Sequence, residues 1–406
     1  MIWKLAVLSI LRRPLRYLLL LCFIALAAAL PVYIIQLTAG LYNGLNRAVE
    51  PFPIVAGAKG SQYQLVLNTV FLRDRPIGNI PYSEVEALRA SGHVSRAIPL
   101  GFGDNYRGFR IVGTEPEIFR YGEDKASGAW LRVAEGRPFS GVREAVIGSE
   151  TARLTGLGVG DTFESIHGLA GNGAGRAHGK PCKVTGILAP VGGPYDTALL
   201  VNLPDIWGAH RGGEAGGEGR TGAWNTGEKG DVTAVLVQPR GYADAMKLLA
   251  RYQRLDRDVQ MVLPAQSVIS LYSMMGQSRE FWQFLTAGLM AAAVLMTLLM
   301  TYWSGLSRLK EFALLRALGA GSGFVYRLMA AEQFCILSAG SAAGWFLGWG
   351  VSFLTAHAVF SRASIVMMVS PEIWGILPPA AILLAGTAAG LVPSWLVRKK
   401  DVSGYL

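Results

Sequence analysis

Three side chains in the middle of the chain are of metal-binding type: His167, His178 and Cys182, around the Gly-rich run from Gly168 to Gly179. Imidazole nitrogen and thiolate sulfur are ordinary ligands of zinc, and a flexible hairpin would let the three converge. Their spacing matches no metal motif, however. A solvent-exposed hairpin loop explains the same residues without a metal, and that plainer reading is favoured. Glu332, followed by Gln333, stands at the edge of an apolar run, where an acid is costly and often functional. Packing, an interhelical contact or pairing with Arg327 ranks above a proton relay there. Nucleotide chemistry finds no support. Gly179-Lys180 is followed by Pro181, and Ala174 stands where a phosphate-binding loop needs its first Gly. The chain also lacks Gly-x-Ser-x-Gly, His-Glu-x-x-His and paired Cys-x-x-Cys patterns. Nothing recommends an enzyme, and no cofactor is expected on this chain.

The elements that must carry these residues are mostly membrane helices. Of 406 residues only 16% are charged, against roughly a quarter in soluble proteins, and the deficit sits in apolar runs towards both ends. The net charge of +10 comes largely from Lys and Arg flanking those runs, which argues for membrane topology and against nucleic acid. Four stretches have the length and apolarity of a bilayer span: 17–37, 281–306, 328–360 and 373–397. Basic clusters sit at Lys4, Arg12, Arg13 and Arg16, then at Arg308, Lys310, Arg316 and Arg327, and finally at Arg398, Lys399 and Lys400. These place both termini on the cytoplasmic side of a multi-pass protein of the cell (inner) membrane. The outer loop 361–372 has one Arg and no Lys. The first run is longer than the apolar core of a signal peptide, so it is expected to stay as a span. Cys22 and Cys335 fall in apolar runs, so Cys182 has no partner for a bond within the outer domain, and a free thiol is favoured over an interchain bond.

Residues 1–16 have the pattern of an amphipathic cytoplasmic helix, with Ile2, Leu5, Leu8 and Leu11 or Leu15 on one side, and a simple topogenic flank explains them equally. Residues 38–280 then form one large extracytoplasmic domain of α+β type, in one lobe or two. Strands are expected at Ile54–Ala56, Arg110–Val112, Ala145–Ile147, Cys182–Ile187, Ala198–Val201, Val232–Gln238 and Val259–Val262. Helices are expected at Tyr82–Ala90, with Ser83 as its cap, at Glu150–Leu157, ending near Gly158, and at Tyr242–Tyr252. The stretch 208–230 is dominated by Gly and reads as a flexible loop.

Two further patterns concern assembly. Gly340, Gly344 and Gly348 recur every four residues, as do Gly386 and Gly390, and small residues at that spacing let helices approach closely in lipid. Packing within the chain and a homodimer seam explain them equally. Between the second and third spans, 307–321 reads Ser-Arg-Leu-Lys-Glu-Phe-Ala-Leu-Leu-Arg-Ala-Leu-Gly-Ala-Gly, a helix-forming segment that ends at glycine. Its apolar residues call for a protein groove or the bilayer surface.

At this segment the chain resembles the FtsX/MacB-type permeases of ABC transporters, the LolC/LolE-like mechanotransmission type. The resemblance is carried by Glu311-Phe312-Ala313-Leu314-Leu315-Arg316-Ala317-Leu318-Gly319-Ala320. Glu332 and the glycines after it, Pro393 before the last basic cluster, and Gly136-Arg137-Pro138-Phe139 in the outer domain extend it over most of the chain. Val402 departs from the pattern, which often has Pro there. The resemblance implies a permease subunit that works as a homodimer or paired permease with a separate cytoplasmic ABC ATPase, which binds ATP and Mg. Arg308, Glu311, Phe312, Leu315, Arg316 and Gly319 would form the ATPase-coupling helix. The outer domain would move to export or extract a substrate, with a periplasmic or outer-membrane partner in some members. The alternative is an FtsX-like signalling subunit that regulates a periplasmic partner without transport.

Overall fold

The computed structural model describes residues 2–12, 14–123, 128–168, 181–211, 229–254, 258–274, 276–307, 314, 319–363 and 373–399. The chain divides into two units: Met1–Tyr42 with Met275–Val359 and Met367–Leu406, and Asn43–Met274 with Phe360–Val366.

The first unit is helical. It holds α1 (Ile2–Leu11) and most of α2 (Pro14–Val49), whose residues from Asn43 on belong to the second unit. Pro14 opens α2 at the first turn, where its missing N–H is not needed. The helix continues through Pro31 and twelve residues past the span end expected at 37. Among the described residues, three more long helices of this unit follow after the second unit. Among the described residues three stretches are long and apolar enough to cross a membrane: Tyr17–Val49, Gly323–Ala358 and Ile373–Val392. The expected second span lies within the helix Gly276–Ser307, in which Gln283–Met296 forms an apolar stretch among the described residues.

The second unit is an eleven-stranded sheet covered by helices on both faces. Its strands are β1 (Ile54–Ala58), β2 (Val94–Tyr106), β3 (Phe109–Thr114), β4 (Val133–Gly136), β5 (Glu144–Ile147), β6 (Thr162–Phe163), β7 (Ile166–His167), β8 (Cys182–Leu188), β9 (Leu199–Asn202), β10 (Ala234–Pro239) and β11 (Val259–Val262). The order is β11-β1-β10-β2-β3-β9-β5-β8-β4, with β6 on β8 and β7 on β2. Among the described residues, β3–β9 and β5–β8 are the parallel pairs. One continuous sheet means one lobe.

Alternation explains why the inner strands β1, β5, β9 and β10 are mostly apolar: successive side chains point to opposite faces, and both faces are buried there. Val55, Ile98, Val112, Val146, Leu200 and Leu236 enter one cluster. Their neighbours Ile54, Ala97, Val235 and Val237 enter a second, and Ile111, Ala145, Ile147, Leu199 and Val201 a third. The first face is covered by α3 (Gln62–Thr69) and, late in the domain, by the helix Pro264–Met274. The second face is covered by α4 (Tyr82–Ala90) and by the helix Tyr242–Arg254.

Several expected boundaries shift. Pro81 rather than Ser83 caps α4, because its carbonyl accepts from Glu84 N at 3.0 Å and the helix starts earlier. The helix expected to end near Gly158 is α5 (Ser149–Thr155), closed by Gly156 at φ 75°, a left-handed stop that glycine adopts without steric cost. The loop expected from 208 begins inside α6 (Leu203–Arg211), whose Leu203 and Ile206 are buried, and Trp207 Nε1 donates to Asp231 O at 2.9 Å. Residues 212–228 lie outside the described residues. The remaining helices are α7 (Tyr242–Arg254), α8 (Pro264–Met274), α9 (Gly276–Ser307), α10 (Ser322–Ala363) and α11 (Leu377–Lys399).

Candidate coupling elements and the residues that hold them

Chain enters the sheet domain through the last turns of α2 and leaves it through α8. Leu45, Ala48 and Val49 from α2, and Val268 from α8, pack into the same cluster on the first face of the sheet. An aromatic group stands at its centre. Phe52 and Trp130 meet edge to face with ring centroids 4.7 Å apart, as do Trp130 and Tyr195 at the same distance. Such pairs add directional stability to buried area. Tyr195 is fully enclosed, its hydroxyl donates to Thr69 O at 3.0 Å, and burial raises its pKa. Next to it, the Asp196 carboxylate accepts from Val191 N, Gly192 N and Gly193 N at 2.8, 2.8 and 3.2 Å. Burial raises its pKa while those amides and Ser149 pull the other way. A buried carboxylate with so many donors is a structural clasp.

In the helical unit, the glycine stripe of α10 receives α2. A Cβ at Gly340 would meet Ile24 at 2.8 Å, one at Gly344 the Ala25 carbonyl at 2.6 Å, and one at Gly348 the Ala29 carbonyl at 2.6 Å. Gly386 and Gly390 of α11 take in Leu337 and Gln333 of α10, and Gln333 Nε2 donates to Gly386 O at 3.2 Å. All five glycines are thus in contacts within the chain. Glu332 is buried and accepts from Tyr17 Oη at 3.3 Å; this interhelical partner lies on α2, and sequence reasoning did not single it out. A lone Tyr in an apolar run was the only signal. Ala6 of α1 packs with Leu328 and Ala331 of α10, and Trp3 meets Phe334 edge to face at 5.9 Å. Leu5, Leu8, Leu11 and Leu15 stay exposed.

Of the expected coupling residues, Arg308, Glu311, Phe312, Leu315 and Arg316 lie outside the described residues. Gly319 has φ 97°, the left-handed conformation with which glycine ends a helix, and Leu314 is exposed. His178 also lies outside. His167 is on β7, paired with Asp104 of β2. Cys182 opens β8 among Phe163, Val184 and Ile111, and burial, helped by Asp205, pushes its thiol up to about 11. A protonated, buried thiol is a poor metal ligand. Among the described residues no group of three His, Cys, Asp or Glu is placed to hold a metal.

Residues 24–252 match the family model of the MacB-like periplasmic core domain, and residues 284–402 match that of the FtsX-like permease C-terminal region. No curated protein matches the chain by sequence. Among solved structures, the periplasmic region of MacB from Actinobacillus actinomycetemcomitans is similar at 12% identity and a TM-score of 0.35, over 57% of this chain and 95% of that one. The extracellular domain of the noncanonic ABC-type transporter YknZ from Gram-positive bacteria is similar at 15% identity and a TM-score of 0.30, over 52% and 98%. At these scores the assignment rests on the family models. One of them spans more than half of the chain and the other most of what remains, so the chain belongs to the FtsX/MacB-type family of ABC-transporter permeases.

Proposed function

We propose that this permease converts movements of a separate cytoplasmic ATPase into movements of its outer domain, and so exports or extracts a substrate on the outer side. The observation that carries the proposal is the shared core. Because the ends of α2 and α8 are embedded in one cluster with the central aromatic group, a shift of either helix must move the sheet domain as a body. Close-packed interiors transmit displacement rather than absorb it.

The rest of the reading follows the charges. Four spans, α9 included, with both termini and the segment 307–321 in the cytoplasm, leave that segment as the contact for the ATPase. ATP and Mg are then bound by the partner, and two permease copies, or a paired permease, complete the assembly. The test is reconstitution of the full chain in vesicles with the ATPase that co-purifies with it. ATP-dependent release of cargo from the membrane supports transport. ATP-dependent activation of an outer partner without cargo release points to the signalling alternative, and no co-purifying ATPase would remove both.

A further inference from the structure

Beneath the turn that follows α3, the sheet domain holds a buried cation that its own structure leaves half satisfied. Arg110 of β3 is only 9% exposed. Its Nη2 donates to the Asp74 carbonyl, its guanidinium stands 5.9 Å from the Phe102 ring centre, and its Nη1 has no hydrogen-bond partner among the described residues. Asp74 Oδ1 accepts from Arg75 N at 2.7 Å, and its carboxylate offsets part of the Arg110 charge. Burial lowers the Arg110 pKa most, a second cation, Arg73, lowers it further, and Asp74 pulls the other way.

The same place has unmatched acceptors. Asn68, 1% exposed, donates from Nδ2 to the same Asp74 carbonyl at 3.1 Å, and its Oδ1 has no partner among the described residues. Thr69 Oγ1, next in the chain, is likewise buried and unpartnered. The backbone over these groups is strained: Leu72 and Asp74 are in the left-handed region at φ 52° and 66°, which non-glycine residues adopt at a cost. Buried polar groups are almost always satisfied, and a buried charge is normally neutralised. Three orphans, with two guanidinium groups facing one carboxylate at a strained turn, call for a ligand that accepts from Arg110, donates to Asn68 or Thr69, and carries negative charge. Water lacks the charge, and a carboxylate lacks the donor. Hydrogen phosphate, or a phosphate monoester in its protonated form, has both.

We infer that Arg110, Asn68 and Thr69, with Arg73 at the mouth, form a binding site for a phosphate group on the outer domain. The inference stands apart from the transport reading, because it needs neither the ATPase nor the spans. The strained turn 71–75 is the element that opens to admit the group.

The test is isothermal titration of the purified full-length chain with inorganic phosphate, glycerol 3-phosphate and sulfate at constant ionic strength. Phosphate should give saturable heat. Sulfate, which has the charge without the donor at neutral pH, should bind about tenfold more weakly. Tighter binding of glycerol 3-phosphate than of inorganic phosphate would assign the site to an esterified headgroup, and the reverse order to free phosphate. Arg110→Gln should abolish the heat. Because that change also removes the contact with the Asp74 carbonyl, exposed Arg73→Gln serves as the second variant, with binding weakened about tenfold. No saturable phosphate heat in the unaltered protein would show that only water occupies the place and would overturn the inference. Affinity unchanged by Arg73→Gln, or equal for phosphate and sulfate, would overturn it as well.

Discussion

Gly344 of α10 faces the Ala25 carbonyl of α2 so closely that a Cβ at 344 would lie 2.6 Å from it. The two helices therefore touch backbone to backbone, and Gly340 and Gly348 repeat the contact a turn away on either side. In lipid, where apolar burial drives association weakly, such close approach is a main source of helix pairing.

Gly344→Val should therefore destabilise the folded chain by about 1–3 kcal/mol, the usual cost of forcing atoms into a packed seam. Gly350, two residues past Gly348, has nothing within 4 Å of its Cβ position. Gly350→Ala should leave stability within about 1 kcal/mol of the unaltered protein. Thermal unfolding in detergent compares the two, and equal effects would mean that the seam is not a contact.

Tyr17→Phe removes the hydroxyl that donates to buried Glu332. Interhelical hydrogen bonds in membranes contribute modestly, so the loss should be about 0.5–1.5 kcal/mol. A double-mutant cycle with Glu332→Gln measures it. Zero coupling would show that the two side chains meet without mutual stabilisation.

Outside the membrane helices, Arg137 holds the Glu144 carboxyl down to about 2, with the Ser140 amide as the next contribution. A carboxyl depressed in the folded state stabilises it above the ordinary value near 4.5. That contribution fades as pH falls towards 2, because the unfolded chain takes up the proton first. In Arg137→Gln the drop in denaturation midpoint from pH 6 to pH 3 should be smaller than in the unaltered protein. An unchanged drop would mean that the pair is screened by solvent.

Val49 and Val268 anchor α2 and α8 in the shared cluster. Val49→Ala and Val268→Ala should each cost about 0.5–3 kcal/mol, and amide exchange should rise across the whole first face rather than at one helix. Exchange that rises only beside the altered residue would show that the two anchors are independent.

Much of this fold was legible where physics is local. Strands at β1, β3, β5, β8, β9, β10 and β11 announce themselves as short β-branched runs, and Val259–Val262 coincides with its expected bounds. β2 was missed because Pro99, Gly101 and Gly103 interrupt it, and its register with β3 shifts between Phe102 and Asn105. α3 was hidden because Gly57 to Ser61 looks like a turn. In the structure Gly57 and Ala58 finish β1, and Ser61 caps the helix through Gln64 N. The insertion of β9 between β3 and β5 leaves no local trace at all. The glycine spacing in α10 was visible, but its partner helix was not, and Tyr17 and Glu332 lie 315 residues apart in sequence.

The account turns on whether the segment between α9 and α10 receives motion from an ATPase. The direct measurement is ATP hydrolysis by the co-purified ATPase in vesicles with the unaltered chain, with Leu315→Asp and with Arg316→Glu. The account predicts that both variants assemble and melt as the unaltered protein does, yet lose its stimulation of hydrolysis and its cargo release. Full stimulation and release in both variants would contradict it.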